Sequence, residues 1–146
     1  MVGLRSAVFP PAPTFTEKDL PSLSGKVIIT TGAASGVGYE LSKMLYAKGG
    51  TVYIAARSEK RCLNAISKIK AEIPKSTGTL MAMVIELADL ATIKPAVETF
   101  LKQENRLDVL MHNAGIMEPP AGSKTKLVSS ICPFLAKFKQ VLIRIF

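Results

Sequence analysis

Three glycines, Gly32, Gly36 and Gly38, stand within the stretch from Lys26 to Tyr39, KVIITTGAASGVGY, just after the apolar run Val27, Ile28 and Ile29. Residues without side chains let backbone N–H groups come close to a ligand, and the chemistry this suits is the holding of phosphate oxygens. A short apolar run that ends in glycines and leads into helix-forming residues reads as a buried parallel strand turning sharply into a helix. The first turn of such a helix has free N–H donors and partial positive charge, so it attracts an anion. One glycine would serve the tight bend, one the approach of a pyrophosphate, and one the close packing of strand on helix. The spacing is G-x-x-x-G-x-G and not the commoner G-x-G-x-x-G. An ordinary Gly-rich turn would look the same in isolation, so the flanking elements decide.

Those elements follow from periodicity and punctuation. Residues 1–24 hold Pro10, Pro11, Pro13 and Pro21, which cannot propagate a helix or a central strand. An extended lead-in is expected there, strapped over the domain by Phe9, Phe15 and Leu20. A first strand is predicted over Lys26–Thr31, then a helix over Val37–Lys48 with Val37, Leu41, Met44 and Leu45 at helical spacing and Gly49-Gly50 as its stop. The β-branched and aromatic run Thr51–Ala56 is a second strand. Ser58 is placed to cap a helix ending near Glu72, with Leu63, Ile66, Ile69 and Ile73 on one face and Pro74 beyond. Thr79–Ile85 reads as a third strand and Leu90–Lys102 as a third helix, with Ile93, Val97, Phe100 and Leu101 inward. Pro95 fits only if it lies in that helix's first turn. Leu107–His112 is a fourth strand, ending in Asn113-Ala114-Gly115. Strands alternating with helices imply a parallel sheet with right-handed crossovers. Ligands of such sheets sit beyond the carboxyl ends of the strands where the strand order reverses, and the polar and glycine features all fall at those ends.

Composition narrows the function classes. With 146 residues and 48% hydrophobic content, one domain with a packed core is expected. The net charge of +8 is unevenly spread. Up to Pro120 there are 14 Lys/Arg against 11 Asp/Glu, whereas Ala121–Phe146 carries Lys124, Lys126, Lys137, Lys139 and Arg144 and no acid. The bases of the folded part are not gathered into an aromatic-laced patch, which argues against nucleic acid as a partner. Cys62 and Cys132 lack metal-ligand spacing and suggest free thiols in a reducing compartment, and a single histidine, His112, excludes zinc sites built on several imidazoles. No apolar run reaches membrane-span length and the first thirty residues lack a signal-peptide core, so a cytoplasmic protein without a transmembrane segment is expected.

The motif Thr31-Gly32-x-x-x-Gly36-x-Gly38 and the motif Asn113-Ala114-Gly115, each closing an apolar strand, resemble the short-chain dehydrogenase/reductase family. The stretch LSGKVIITTGAASGVGYELSKMLYAKGGTVYIAARS is most similar to its retinol-dehydrogenase-like and fungal branches, and the similarity covers about Leu23 to Pro120. The resemblance implies an α/β fold, a Rossmann-like parallel sheet with flanking helices, truncated here after the fourth strand. The expected organisation is a Pro-rich lead-in over 1–24, an NAD(P)-binding half-domain over 25–120 and a basic, apolar tail over 121–146. By the same resemblance Gly32, Ser35, Gly36, Val37 and Gly38 would line a pyrophosphate, while Asn113, Ala114 and Gly115 would pack against the adenosine ribose. Family members using NAD typically carry an acid at the end of strand two. Ala56 and Arg57 stand there, and a guanidinium pairs with a 2′-phosphate. The resemblance therefore implies NADP in preference to NAD, the alternative reading of Arg57 being a solvated base at a helix start. Glu86-Leu87 occupies the place of the family's Asp-Leu, whose acid meets the adenine amino group, and is one methylene longer. His112 reads as a strand-end packing residue.

The family's reaction is hydride transfer between a nicotinamide cofactor and an alcohol or carbonyl compound. It uses a Ser and a Tyr-x-x-x-Lys pair that follow the Asn-Ala-Gly motif, the lysine lowering the tyrosine's pKa for proton exchange. No tyrosine follows Tyr53 here. Tyr39 and Lys43 have the spacing, but they lie on the helix after the glycine loop and read as a surface pair at i,i+4. The resemblance thus implies an oxidoreductase of short-chain type that is catalytically incomplete in this chain. The substrate, a small alcohol or carbonyl, stays undefined. From about Leu127 the family pattern is lost, which suggests a truncated or read-through continuation. The alternative is a non-catalytic nucleotide-binding or regulatory protein whose basic tail, with Phe134, Phe138, Val141, Leu142 and Ile145 on one helical face, docks on a membrane or partner. An uncovered fourth strand would also favour self-association through its edge.

Overall fold

The structure, a computed structural model, describes residue 14 and residues 16–115. Four strands, β1 (Val27–Thr31), β2 (Thr51–Ala56), β3 (Thr79–Val84) and β4 (Val109–Met111), alternate with helices α1 (Gly36–Ala47), α2 (Glu59–Glu72) and α3 (Ile93–Gln103). The sheet is entirely parallel in the order β3-β2-β1-β4. This is the Rossmann-like arrangement expected from the alternation. Val27 of β1 pairs with Thr51, and Thr51 in turn with Thr79, so the three strands begin level and their carboxyl ends form one rim.

Both faces of the sheet are covered, so β1 and β2 are buried at nearly every position. On one face Ile28, Val52, Ile54 and Leu80 pack with Leu45 and Tyr46 of α1 and with Cys62, Ile66 and Ile69 of α2. On the other, Val27, Ile29, Tyr53 and Met83 pack with Ile93, Val97 and Phe100 of α3, where Tyr53 and Phe100 meet edge to face at 4.9 Å. Of the expected strap, Leu20 packs on the α1/α2 side. Phe9 and Phe15 lie outside the described residues, as does the tail.

Several local expectations are corrected. The inward face of α1 is Gly38, Ser42, Leu45 and Tyr46, whereas Val37 is 77% exposed and Met44 is at the surface. Helical spacing alone favoured the larger side chains. The bare Cα of Gly38 lets the helix settle on the preceding loop, and the buried Ser42 hydroxyl donates to the Gly38 carbonyl at 2.8 Å. On α2 the small residues Cys62 and Ala65 face the sheet and Leu63 is turned outward, as is Leu101 of α3. Ser58 occupies the N-cap of α2 with extended backbone but makes no capping bond with its side chain. The third helix begins as a 3-10 turn over Leu90–Thr92, which places Pro95 in the first turn of α3, where a missing N–H leaves no bond unmade.

The end of α1 follows the Gly-Gly signal closely. Gly49 adopts φ +85° and donates to the Tyr46 carbonyl, while Gly50 donates to that of Leu45. This pair of bonds is a Schellman motif. Strand β4 is shorter than Leu107–His112. Below it the Asp108 N–H donates to the Val27 carbonyl and the Asp108 carboxylate accepts the Val27 N–H, both at 2.9 Å. Above it Asn113 N–H turns back to the Met111 carbonyl and ends the ladder.

Candidate functional site

The strand order reverses between β1 and β4, because the chain runs from β1 out to β3 and then returns to the far side of β1. A crevice at that reversal is the ligand position of open parallel sheets, and the glycine loop and the Asn-Ala-Gly segment bound it. The loop hangs from β2: the Gly32 N–H donates to the Ala55 carbonyl at 2.8 Å.

The three glycines are needed for different reasons. Gly32 has φ +66°, and a Cβ there would meet Ala114 Cα at 3.0 Å. Gly36 has φ +60° with nothing within 4 Å of the same imagined atom, so its backbone demands glycine while the space outside stays open. Gly38 has ordinary backbone but no room, since a Cβ would collide with Asn113 Nδ2 and lie 2.6 Å from the Gly32 oxygen.

Thr31 ties the two segments together. Its Oγ1 donates to the Met111 carbonyl at 3.2 Å and accepts the N–H groups of Asn113 at 3.1 Å and Ala114 at 3.0 Å. The Asn113 side-chain amide in return donates to the Thr31 carbonyl at 3.1 Å. Thr31 was not among the expected site residues. Two adjacent threonines end the strand, and only the sheet shows that Thr31 meets β4 while Thr30 is buried with no partner for its hydroxyl among the described residues.

Ser35, Gly36 and Val37 are exposed at the start of α1, and Gly38 is buried beneath them. Ser35 makes no capping bond with its side chain, so the first-turn amides are left without an acceptor from the helix or its cap. Arg57 is exposed on the same rim, directly after β2, and takes part in no ion pair among the described residues. Glu86 and Leu87 follow β3. The Glu86 carboxylate accepts the Ala88 N–H at 3.1 Å, and Leu87 leans on the α3-side core. Gly115 is exposed, and so is His112, contrary to the packing role expected of it.

The residues from 26 to 132 match the family model described as short chain dehydrogenase. The chain belongs to the short-chain dehydrogenase/reductase family. Among its relatives is a short-chain dehydrogenase/reductase of Phomopsis amygdali, 55% identical over 118 residues that make up 81% of this chain and 35% of that one. The chain thus spans about a third of the length of the relatives it matches. Among solved structures, a metagenomic short-chain oxidoreductase in complex with NADP superposes with a TM-score of 0.58 at 28% identity, over 67% of this chain and 47% of that one. L-sorbose reductase of Gluconobacter frateurii, solved with NADPH and L-sorbose, shares the fold, with a TM-score of 0.59 at 24% identity over 66% of this chain and 36% of that one. The family match runs past Pro120, the end of the similarity carried by the motifs.

The open cradle at Gly36 fits a phosphate-bearing ligand. The Tyr39–Lys43 pair has been put to another use. The Tyr39 hydroxyl donates to Glu72 at 2.8 Å, and the Lys43 ammonium bridges Glu72 at 3.0 Å and Glu40 at 2.6 Å. Desolvation, followed by the bond to Glu72, raises the tyrosine's pKa, opposite to the shift that proton exchange near neutral pH requires. The pair clamps α1 to α2. Among the described residues no His, Cys, Asp and Glu cluster could hold a metal, and no helix is long and apolar enough to cross a membrane.

Proposed function

We propose that this chain is the cofactor-binding part of an NADP(H)-preferring oxidoreductase that moves hydride between the nicotinamide and an alcohol or carbonyl substrate. The observation that carries the reading is the junction at Thr31, which joins the glycine loop to Asn113 and Ala114 at the carboxyl ends of β1 and β4. In this reading the amides at Ser35, Gly36 and Val37 take the pyrophosphate, with Gly32 and Gly38 shaping the loop beneath. Asn113, Ala114 and Gly115 form the wall at the β4 side, and Glu86 and Leu87 that at the adenine.

Preference for NADP rests on Arg57. A carboxylate at the end of β2 would accept from both ribose hydroxyls and repel a 2′-phosphate, whereas β2 ends here in Ala56 followed by an exposed guanidinium. The nicotinamide supplies the hydride when bound, and the residues of this chain bind and orient it. The 146 residues bind cofactor without turning it over: no tyrosine follows Tyr53, and Tyr39 is held by Glu72. The outer edge of β4, which pairs only with β1 among the described residues, favours self-association of the isolated chain.

Fluorescence titration with NADPH and NADH, repeated on Arg57→Ala, tests the reading. Tighter binding of NADPH is expected, with the difference lost in the variant. Equal affinity of the unaltered chain for both cofactors would refute the role of Arg57, and no binding of either would refute the reading as a whole.

A further inference from the structure

The carboxyl end of β3 is held by one hydroxyl to which neither the motifs nor the family comparison assigns a role. Thr92 closes the 3-10 turn before α3. Its Oγ1 accepts the Glu86 N–H at 3.0 Å and has its single proton to give to the Glu86 carbonyl at 3.0 Å or the Asp89 carbonyl at 2.8 Å. The Thr92 N–H donates to the Asp89 carbonyl at 3.1 Å, and the Asp89 N–H to the Glu86 carbonyl at 3.0 Å. The loop from Glu86 to Asp89 is therefore closed on Thr92. Around it the Glu86 carboxylate accepts the Ala88 N–H at 3.1 Å and the Asp89 carboxylate the Ala91 N–H at 3.2 Å, Leu87 and Leu90 lean on the α3-side core, and Ile85, just before the loop, donates to the Ala56 carbonyl.

That last bond sets the loop beside Arg57, because Ala56 is the residue before it. Along this rim the loop is thus next to the backbone of Arg57 and one strand further from the glycine cradle. We propose that Thr92 is a positioning residue for the adenine end of the cofactor, acting through the Glu86–Leu87 segment and touching no ligand itself. The inference rests on the cofactor reading above and assigns the base-recognising wall to a residue beyond it. A group that orients the residues lining a site contributes by fixing their geometry, so its loss should change discrimination between ligands as well as affinity.

The test uses the 146-residue chain, with NADPH and its hypoxanthine analogue as ligands. The analogue carries a carbonyl oxygen in place of the adenine amino group and a proton on the neighbouring ring nitrogen N1, and is otherwise unchanged. Affinities are measured well below each variant's melting temperature. The unaltered chain is expected to prefer NADPH, and Thr92→Val to reduce that preference about fivefold, the worth of one lost hydrogen bond. Thr92→Ser keeps the hydroxyl and should restore it. A purely structural role would lower the melting temperature and leave the ratio of affinities unmoved, which would overturn the proposal. Equal binding of the two ligands by the unaltered chain would also overturn it while leaving the cofactor reading intact. Failure of the unaltered chain to bind either would overturn both.

Discussion

The side-chain amide of Asn113 rests against the bare Cα of Gly38, so the third glycine of the loop is a packing position. Gly38→Ala would force a Cβ against Asn113 Nδ2 and the Gly32 carbonyl oxygen. The backbone oxygen cannot swing aside as a flexible side chain could. The expected cost is about 1–3 kcal/mol, typical of overpacking, together with weakened NADPH binding. Chemical denaturation and cofactor titration measure the two effects. An alanine variant as stable as the unaltered chain would refute the packing role.

Thr31→Val keeps the shape of the side chain and removes the acceptor for two N–H groups, those of Asn113 and Ala114. The Asn113 N–H keeps the Met111 carbonyl, whereas that of Ala114 is left unpaired, which costs about 1–3 kcal/mol when buried. It is partly buried, so the lower part of that range is expected. Thr31→Ser should recover most of the loss. Urea unfolding of the three proteins decides the matter.

The neighbouring Thr30→Val should act in the opposite direction. The Thr30 side chain is fully buried and its Oγ1 has no partner among the described residues. A methyl group in its place removes a desolvated polar atom, so a gain of about 1 kcal/mol is expected. A lower unfolding midpoint for this variant would show that the hydroxyl has a partner after all.

Asp108 makes stability dependent on acid. Its carboxylate accepts from Arg106, from the Val27 N–H and from Lys26, and these donors hold its pKa well below the usual carboxylate range. A carboxyl group depressed in the folded state stabilises fully above its unfolded pKa, about 4, and loses that contribution as pH falls towards the folded value. Unfolding midpoints should therefore decline below about pH 4. Asp108→Asn should be less stable at neutral pH and show a shallower decline. Equal acid sensitivity in the two proteins would contradict this assignment.

The order of strands and helices, the glycine turn, the Gly-Gly stop and the tolerance of Pro95 were all legible in the sequence. Each depends on residues within a few positions of one another, where periodicity, backbone freedom and capping act locally. Helix faces were less legible. Spacing identified Val37, Leu63 and Leu101 as apolar, but their exposure depends on how close each helix comes to the sheet, and Gly38, Cys62 and Ala65 decide that by being small.

By itself the sequence determined an α/β chain with a phosphate-suited turn after its first strand. Only the tertiary structure decided that Thr31 meets Asn113 and Ala114, more than eighty positions further along, and that Tyr39 answers to Glu72. The reason is physical. A hydroxyl or a carboxylate bonds whichever group the packed sheet brings within 3 Å, and strand order rather than sequence spacing sets that distance.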